Sequence, residues 1–374
     1  MTEAYKTGDT KWVKISIVAA FVQLVTLSVL EVVLIILHSQ EIKTLEKYPK
    51  KPDITQVKYD DAKAKAEALA VYFALYIVAQ IFQFYFCVEA TYNKNTIQVI
   101  AWAIFNLCIF GYSVIQVFQH DRAITLFQEY LVIPNKQQAG LLLTTSVFEY
   151  ILVGLAAIFC FSCAFQAHRL YQVYGWSIYK KIGADMRMRR IYRMYQIFIV
   201  FLKVDVFFFL AFSVQYLVLV IYRHEQTVDL AVHIVVSLCV TIVLLTVAYL
   251  SVRREYRFGM IFILIGLVGL LVYFIFKLYQ LYNPTDYLLE CQDECPTLAD
   301  RCRDMCTDKF GSSRIILTMF LIVNMLLGLI TGFVAYKALQ NFDHGLRFHL
   351  TKQPSSIGMV NLDGQDPNKR WSIL

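Results

Sequence analysis

Apolar and polar positions along the chain segregate into long blocks. Apolar runs near 13–37, 69–91, 97–118, 141–165, 196–222, 229–251, 258–281 and 315–337 each reach the roughly 20 residues that carry a helix across a hydrocarbon core of about 30 Å. The pattern predicts an all-α, polytopic transmembrane helix bundle of about eight spans. One membrane domain covers 1–340, and a Pro- and Gly-containing tail covers 341–374 and reads as flexible. The first run is too long for the core of a signal peptide, so it is expected to be a retained anchor with no cleaved leader.

Composition removes the soluble alternative. Hydrophobic residues make up 58% and charged ones 17% of the 374 residues, with mean hydropathy +0.53, whereas soluble domains carry about a quarter charged residues. The formal charge of +7 is distributed by side. With eight spans, the N-terminus, the turn at 92–96, the loop 166–195, the turn at 252–257 and the tail hold 19 Lys and Arg, Lys14 and Lys337 included, against 7 Asp and Glu. The opposite loops hold 14 against 17. An excess of cations marks the cytosolic side, so both termini are expected there, and Trp12, Trp102, Trp176 and Trp371 fall at or beyond that interface. The charge is a topology signal and gives no reason to expect nucleic acid.

Two loops stand out. In the basic loop 166–195, a helical wheel over 184–195 gathers Ala184, Met188, Ile191, Tyr192 and Tyr195 on one stripe and Arg187, Arg189, Arg190 and Arg193 opposite. That is the pattern of an interfacial helix preceded by bends at Gly175 and Gly183. With Lys180 and Lys181 these arginines are the candidate contacts for anionic lipid, each worth roughly 1 kcal/mol near such a surface, or for coat and adaptor proteins. A plain topology determinant has the same look. In the lumenal loop 283–313, Cys291, Cys295, Cys302 and Cys306 form two CxxxC units. Of the three connectivities four cysteines allow, nested bridges Cys291–Cys306 and Cys295–Cys302 suit two short antiparallel helices in an oxidising compartment, with zinc ligation the lesser alternative. Cys87, Cys108, Cys160, Cys163 and Cys239 lie inside spans and read as small apolar packers.

The stretch 168–221 also carries a resemblance. GWSIYKKIGAD, RRIYRMYQIF, LKVDVFFFLAF and Gln215 resemble the signature of an uncharacterised family of fungal Golgi apparatus multi-pass membrane proteins. The resemblance implies a Golgi-membrane location and a multi-span fold. It carries no activity and no catalytic residue.

Ionisable groups in hydrocarbon cost about 2.5–3.5 kcal/mol or more at a helix centre and call for an explanation. At 1.5 Å per residue, Glu89, Lys203 and Asp205 fall in the cytosolic leaflet and Glu31, Glu149, His233 and Lys277 in the lumenal one. Two polar clusters are expected: Lys203 with Glu89 or Asp205, and Lys277 with Glu31 or Glu149. They would serve a solute or proton path or ordinary interhelical contacts, and a water-accessible cavity reaching Glu31, Glu149 or Asp205 would separate the two. Gly328 and Gly332, like Gly266 and Gly269, suggest close helix packing.

Enzyme motifs are weak. His224 and Asp229 make an HxxxxD by chance, His344 and His349 are poorly spaced for a metal, and no GxSxG, HExxH, Walker or GxGxxG sequence occurs. The sequence therefore predicts a non-enzymatic membrane protein with no catalytic residue, metal or cofactor site, and an unread oligomeric state. Its role is open between trafficking or scaffolding through the basic loop, a solute or proton-coupled transporter using the intramembrane Glu, Asp and Lys, and a receptor-like protein.

Overall fold

The computed structural model describes residues 2–54, 56–133, 135–182, 186–222, 241–282 and 314–342. Its elements are α1 (Thr2–Leu45), α2 (Gln56–Tyr92), α3 (Thr96–Glu129), α4 (Asn135–Ile182), α5 (Met186–Tyr222), α6 (Thr241–Arg254), α7 (Arg257–Tyr282) and α8 (Arg314–Gln340). Among the described residues seven helices, all but α6, are long and apolar enough to cross a membrane. The sixth expected span, 229–251, is described only from Thr241. The protein is an all-α polytopic bundle whose lipid-facing flanks are apolar, with Val18, Phe21, Val25, Ile265 and Val268 all exposed. The cysteine loop 283–313, Cys239, His233 and the tail from 343 on lie outside the described residues.

The helices close into two rings of four. In the first, α1 packs on α2 and α4 while α3 packs on α2 and α4; in the second, α5 packs on α8 and α6 while α7 packs on α6 and α8. The rings meet where α5 lies against α2 and α3, through a knot of rings in which Phe82, Phe105 and Phe207 have centroids 4.9–5.0 Å apart.

Each ring contains one very short hairpin, and both use the same stop. Lys94 (φ 50°) and Glu255 (φ 54°) sit in the left-handed region. Asn95 N–H donates back to Ala90 O at 3.0 Å, and Tyr256 N–H to Ser251 O at 2.9 Å, the six-to-one bond of a Schellman cap. Asn95 then starts α3, its side chain accepting from the Ile97 and Gln98 amides at 3.1 and 3.4 Å.

Two sequence expectations change. No separate interfacial helix follows Gly175: α4 runs on through it to Ile182, and the arginine-rich segment is the first turns of α5. Its stripe is already buried at Ile191 and continues without a break into the buried Phe198 and Leu202, so packing against the second ring holds it in line with the span. The α1–α2 and α3–α4 connections are also shorter than the hydropathy suggests, because α1 continues to Leu45 and α3 to Glu129. These extensions bury Ile42, Leu45, Ala62, Ala66, Ile124, Phe127 and Leu131 together. Over them the two loops pair, Lys51 N–H donating to Tyr130 O and Val132 N–H to Pro49 O. At this rim Lys63 bonds Glu46 at 2.8 Å, and that bond holds its ammonium above the usual lysine range.

Candidate functional site

The interior of the first ring is polar at three levels. Reading α1 from its start, the buried stripe is Ser16, Ala20, Gln23, Leu27, Glu31, Leu34, His38, Glu41 and Leu45, a spacing of three or four that keeps one face inward. On α3 the matching face is Trp102, Asn106, Ile109, Ser113, Gln116 and His120. At 1.5 Å per residue, Gln23 to Glu41 covers roughly 27 Å, most of a bilayer core.

In the first layer Gln23 Nε2 donates to Asn106 Oδ1 at 2.8 Å and to Gln80 Oε1 at 3.3 Å. Asn106 in turn donates to Trp102 O, and Trp102 Nε1 to Gln83 Oε1, both at 2.9 Å. In the second layer Gln116 Nε2 donates to both Glu31 oxygens, at 3.0 and 3.1 Å. In the third, His120 Nε2 lies 3.2 Å from Glu41 Oε2 and His120 Nδ1 lies 3.2 Å from Glu149 Oε1, the latter off the line of a hydrogen bond. Thr145 Oγ1 donates to Glu41 at 3.5 Å. His38 Nε2 is 2.8 Å from Ala66 O, and its ring meets that of His120 at 5.2 Å in a T-shape. All these side chains are buried. Leu27 and Leu34, both fully buried, separate the layers.

Four helices supply the third layer: His38 and Glu41 from α1, the Ala66 carbonyl from α2, His120 from α3, and Thr145 and Glu149 from α4. Several of its atoms are unmatched. His38 Nδ1, Glu41 Oε1 and Glu149 Oε1, like Gln116 Oε1 one layer down, are buried with no hydrogen-bond partner among the described residues.

Glu31 and Glu149 thus lie in the first ring, but they do not meet Lys277. That lysine belongs to the second ring, where it donates to Tyr216 Oη at 2.9 Å and Gln280 Oε1 at 3.1 Å and lies 4.5 Å from the Tyr216 ring centroid. The expected pairing fails because depth along a span fixes a residue's height and not the ring it faces. Lys203 pairs with Glu89 across the seam between rings, and Gln98 Nε2 holds the other Glu89 oxygen at 2.7 Å. Asp205 points elsewhere, accepting from Thr331 Oγ1 at 2.5 Å. Arg187, Arg190 and Arg193 are exposed on α5, and the backbone at Lys180, Lys181 and Arg189 is helical.

Two cavities lie near these groups. One of about 210 Å³ sits between α2, α3, α5 and α8, lined by Leu75, Tyr112, Phe208 and Phe320. A second, of about 60 Å³, is lined by Asp205, Asn324 and Gly328. Of the three groups whose access to a cavity would mark a path, Asp205 lines the smaller one, and Glu31 and Glu149 line neither. Of the cysteines expected to pack, Cys87 and Cys163 are buried, Cys160 is half-buried and Cys108 is exposed.

No family model and no solved structure matches the chain. It is 28% identical over 298 residues to a UPF0658 Golgi apparatus membrane protein of Schizosaccharomyces pombe, an alignment covering 75% of this chain and 78% of that protein. The similarity is far longer than the 54-residue stretch 168–221 on which the resemblance was read. The chain is thus similar to an uncharacterised fungal Golgi apparatus membrane protein, and is a multi-pass protein of the Golgi membrane.

Proposed function

We propose that the chain moves protons or small cations across the membrane by way of the layered core of its first ring. The observation that carries this reading is His120 standing between Glu41 and Glu149, with Glu31 and Gln116 one layer away. Interhelical hydrogen bonds in membranes average only about 0.6 kcal/mol, whereas each buried polar atom left unpaired costs about 1–3 kcal/mol. His38, Glu41, Gln116 and Glu149 each keep an atom without a hydrogen bond among the described residues, as do Asp205 and Gln215 in the second ring; what sets the first ring apart is two carboxylates about one imidazole. Groups that exchange protons or cations need such spare sites. Leu27 and Leu34, both fully buried between the layers, block a continuous polar path, so passage on this reading needs a rearrangement that joins the layers. On the topology expected from the charge distribution, the third layer lies toward the lumen.

The test is flux. Full-length protein in liposomes with a trapped pH indicator should dissipate an imposed pH gradient faster than protein-free vesicles, and Glu149→Gln should bring the rate back toward theirs. Wild-type protein that matches empty vesicles in both gradient directions, with and without a membrane potential, would remove the proposal.

A second reading rests on Arg187, Arg190 and Arg193, exposed in the first turns of α5 ahead of its apolar run. It assigns a trafficking or scaffold role through anionic headgroups or coat and adaptor proteins. Replacing Arg187, Arg189, Arg190 and Arg193 by Gln should then mislocalise the protein without altering flux; correct Golgi targeting of that variant would count against it.

A further inference from the structure

The third layer has the donor set and surroundings of a metal site. A ring nitrogen of His38, a carboxylate oxygen of Glu41 and a ring nitrogen of His120 all lie within 4.8 Å of one another, and all three side chains are at most 2% exposed. His38 and Glu41 are three residues apart, so α1 presents them on one face, and His120 faces them from α3.

The hydrogen bond of His38 assigns its two nitrogens. His38 Nε2 faces the Ala66 carbonyl at 2.8 Å, and a carbonyl only accepts, so Nε2 carries the proton. The lone pair is therefore on Nδ1, which has no partner among the described residues. On His120, Nε2 makes the hydrogen bond to Glu41 Oε2 at 3.2 Å, and Nδ1 lies 3.2 Å from Glu149 Oε1 off the line of one; a cation bound at Nε2 would replace that hydrogen bond and leave the ring proton on Nδ1, toward Glu149. Metal-bound histidines usually donate their second ring nitrogen to a carbonyl or a carboxylate, which fixes the tautomer and raises basicity. Here the Ala66 carbonyl is such a partner for His38, and the Glu149 carboxylate stands 3.2 Å from the second ring nitrogen of His120.

One donor separation fits a tetrahedral ion, and the other two lie within 4.8 Å. Bonds of about 2.0–2.1 Å to nitrogen and oxygen place neighbouring donor atoms roughly 3.3 Å apart, and His120 Nε2 to Glu41 Oε2 is 3.2 Å. Two imidazoles with one carboxylate suit zinc or a similar transition ion, whereas calcium and magnesium take oxygen ligands. Three protein ligands leave one position open, as in sites that exchange a ligand. We infer that His38 Nδ1, Glu41 and His120 Nε2 bind a divalent transition-metal cation of the zinc class, with Ala66 O and Glu149 orienting the two imidazoles. The inference deepens the proposed function, since it names a cation class for the same layer.

Binding is measured on full-length protein in detergent, stripped with chelator, equilibrated with Zn2+ and freed of unbound metal before elemental analysis. About one zinc per chain is expected. His38→Ala and His120→Ala should lose it, Glu149→Gln should weaken it by about 10–100-fold, and Glu31→Gln, one layer away, should keep it. Co2+ in the wild type should give tetrahedral visible bands without the near-ultraviolet band of sulfur ligation, which separates this site from the cysteine loop even where a variant does not fold. Wild type that retains no zinc, a His38→Ala variant that retains as much, or a Co2+ spectrum of sulfur ligation alone would overturn the inference. No gradient enters the assay, so zinc bound without flux would support the site and refute the transport reading, and flux without zinc would do the reverse.

Discussion

The two rings share a design and differ in what fills them. Both are four-helix circuits, and both turn one hairpin on a left-handed residue, Lys94 or Glu255. Yet 19 of the 26 buried polar or charged residues described lie between Ser16 and Gln166, in the first ring. The second is filled by groups such as Phe209, Phe212, Phe274, Phe320 and Leu321, with Lys277 and Asp205 each held by nearby hydroxyls or amides. Lipid offers a helix no hydrophobic reason to prefer a protein neighbour, so the apolar ring needs close shape-matching. The polar ring is specified by partners no lipid can replace, and that is where chemistry is expected.

Substitutions in each ring sharpen this contrast. His120→Leu leaves Glu41 and Glu149 buried without their common base, and breaking such an arrangement costs about 3–5 kcal/mol. Phe274→Ala, at a position 1% exposed, should cost up to about 3 kcal/mol, the low end of the soluble-protein range because lipid replaces water around the separated helix. Unfolding midpoints in detergent should rank them in that order, and the reverse order would break the comparison. At the seam, Lys203→Met and Glu89→Gln should each cost about 1–3 kcal/mol. The double variant should cost clearly less than their sum, and strict additivity would show that the pair does not join the rings energetically.

The last pair of substitutions concerns glycines of the second ring. A Cβ on Gly259 would stand 2.0 Å from Ser251 Oγ and 2.9 Å from Tyr256 Cδ1, so Gly259→Ala should lose about 1–3 kcal/mol. Gly328 would meet Leu271 at 3.6 Å, an ordinary contact, and Gly328→Ala should gain up to about 1 kcal/mol of helix propensity. Melting temperatures of the two variants should move in opposite directions.

Spans were legible because about 20 apolar residues in a row permit one structure in lipid. The site was less so. His38 and His120 lie beyond the apolar windows 13–37 and 97–118, in turns that hydropathy assigns to loops, while the helices run on to Leu45 and Glu129. A signal was nevertheless present: Ser16, Gln23, Glu31 and His38 recur at intervals of seven or eight, and Asn106, Ser113 and His120 at seven, one helical face continued past the hydrophobic edge. Pairing across helices was not legible at all, since the sequence gives each charge a depth but no ring, and so Lys277 was matched to carboxylates that it never reaches.

The most direct test of the claim that the first ring is the working part compares flux through proteoliposomes carrying Glu31→Gln with flux through those carrying Asp205→Asn or Lys277→Met. The account predicts that Glu31→Gln falls toward the protein-free rate while both second-ring variants keep the wild-type rate. Loss of flux in the second-ring variants, with Glu31→Gln unimpaired, would contradict it.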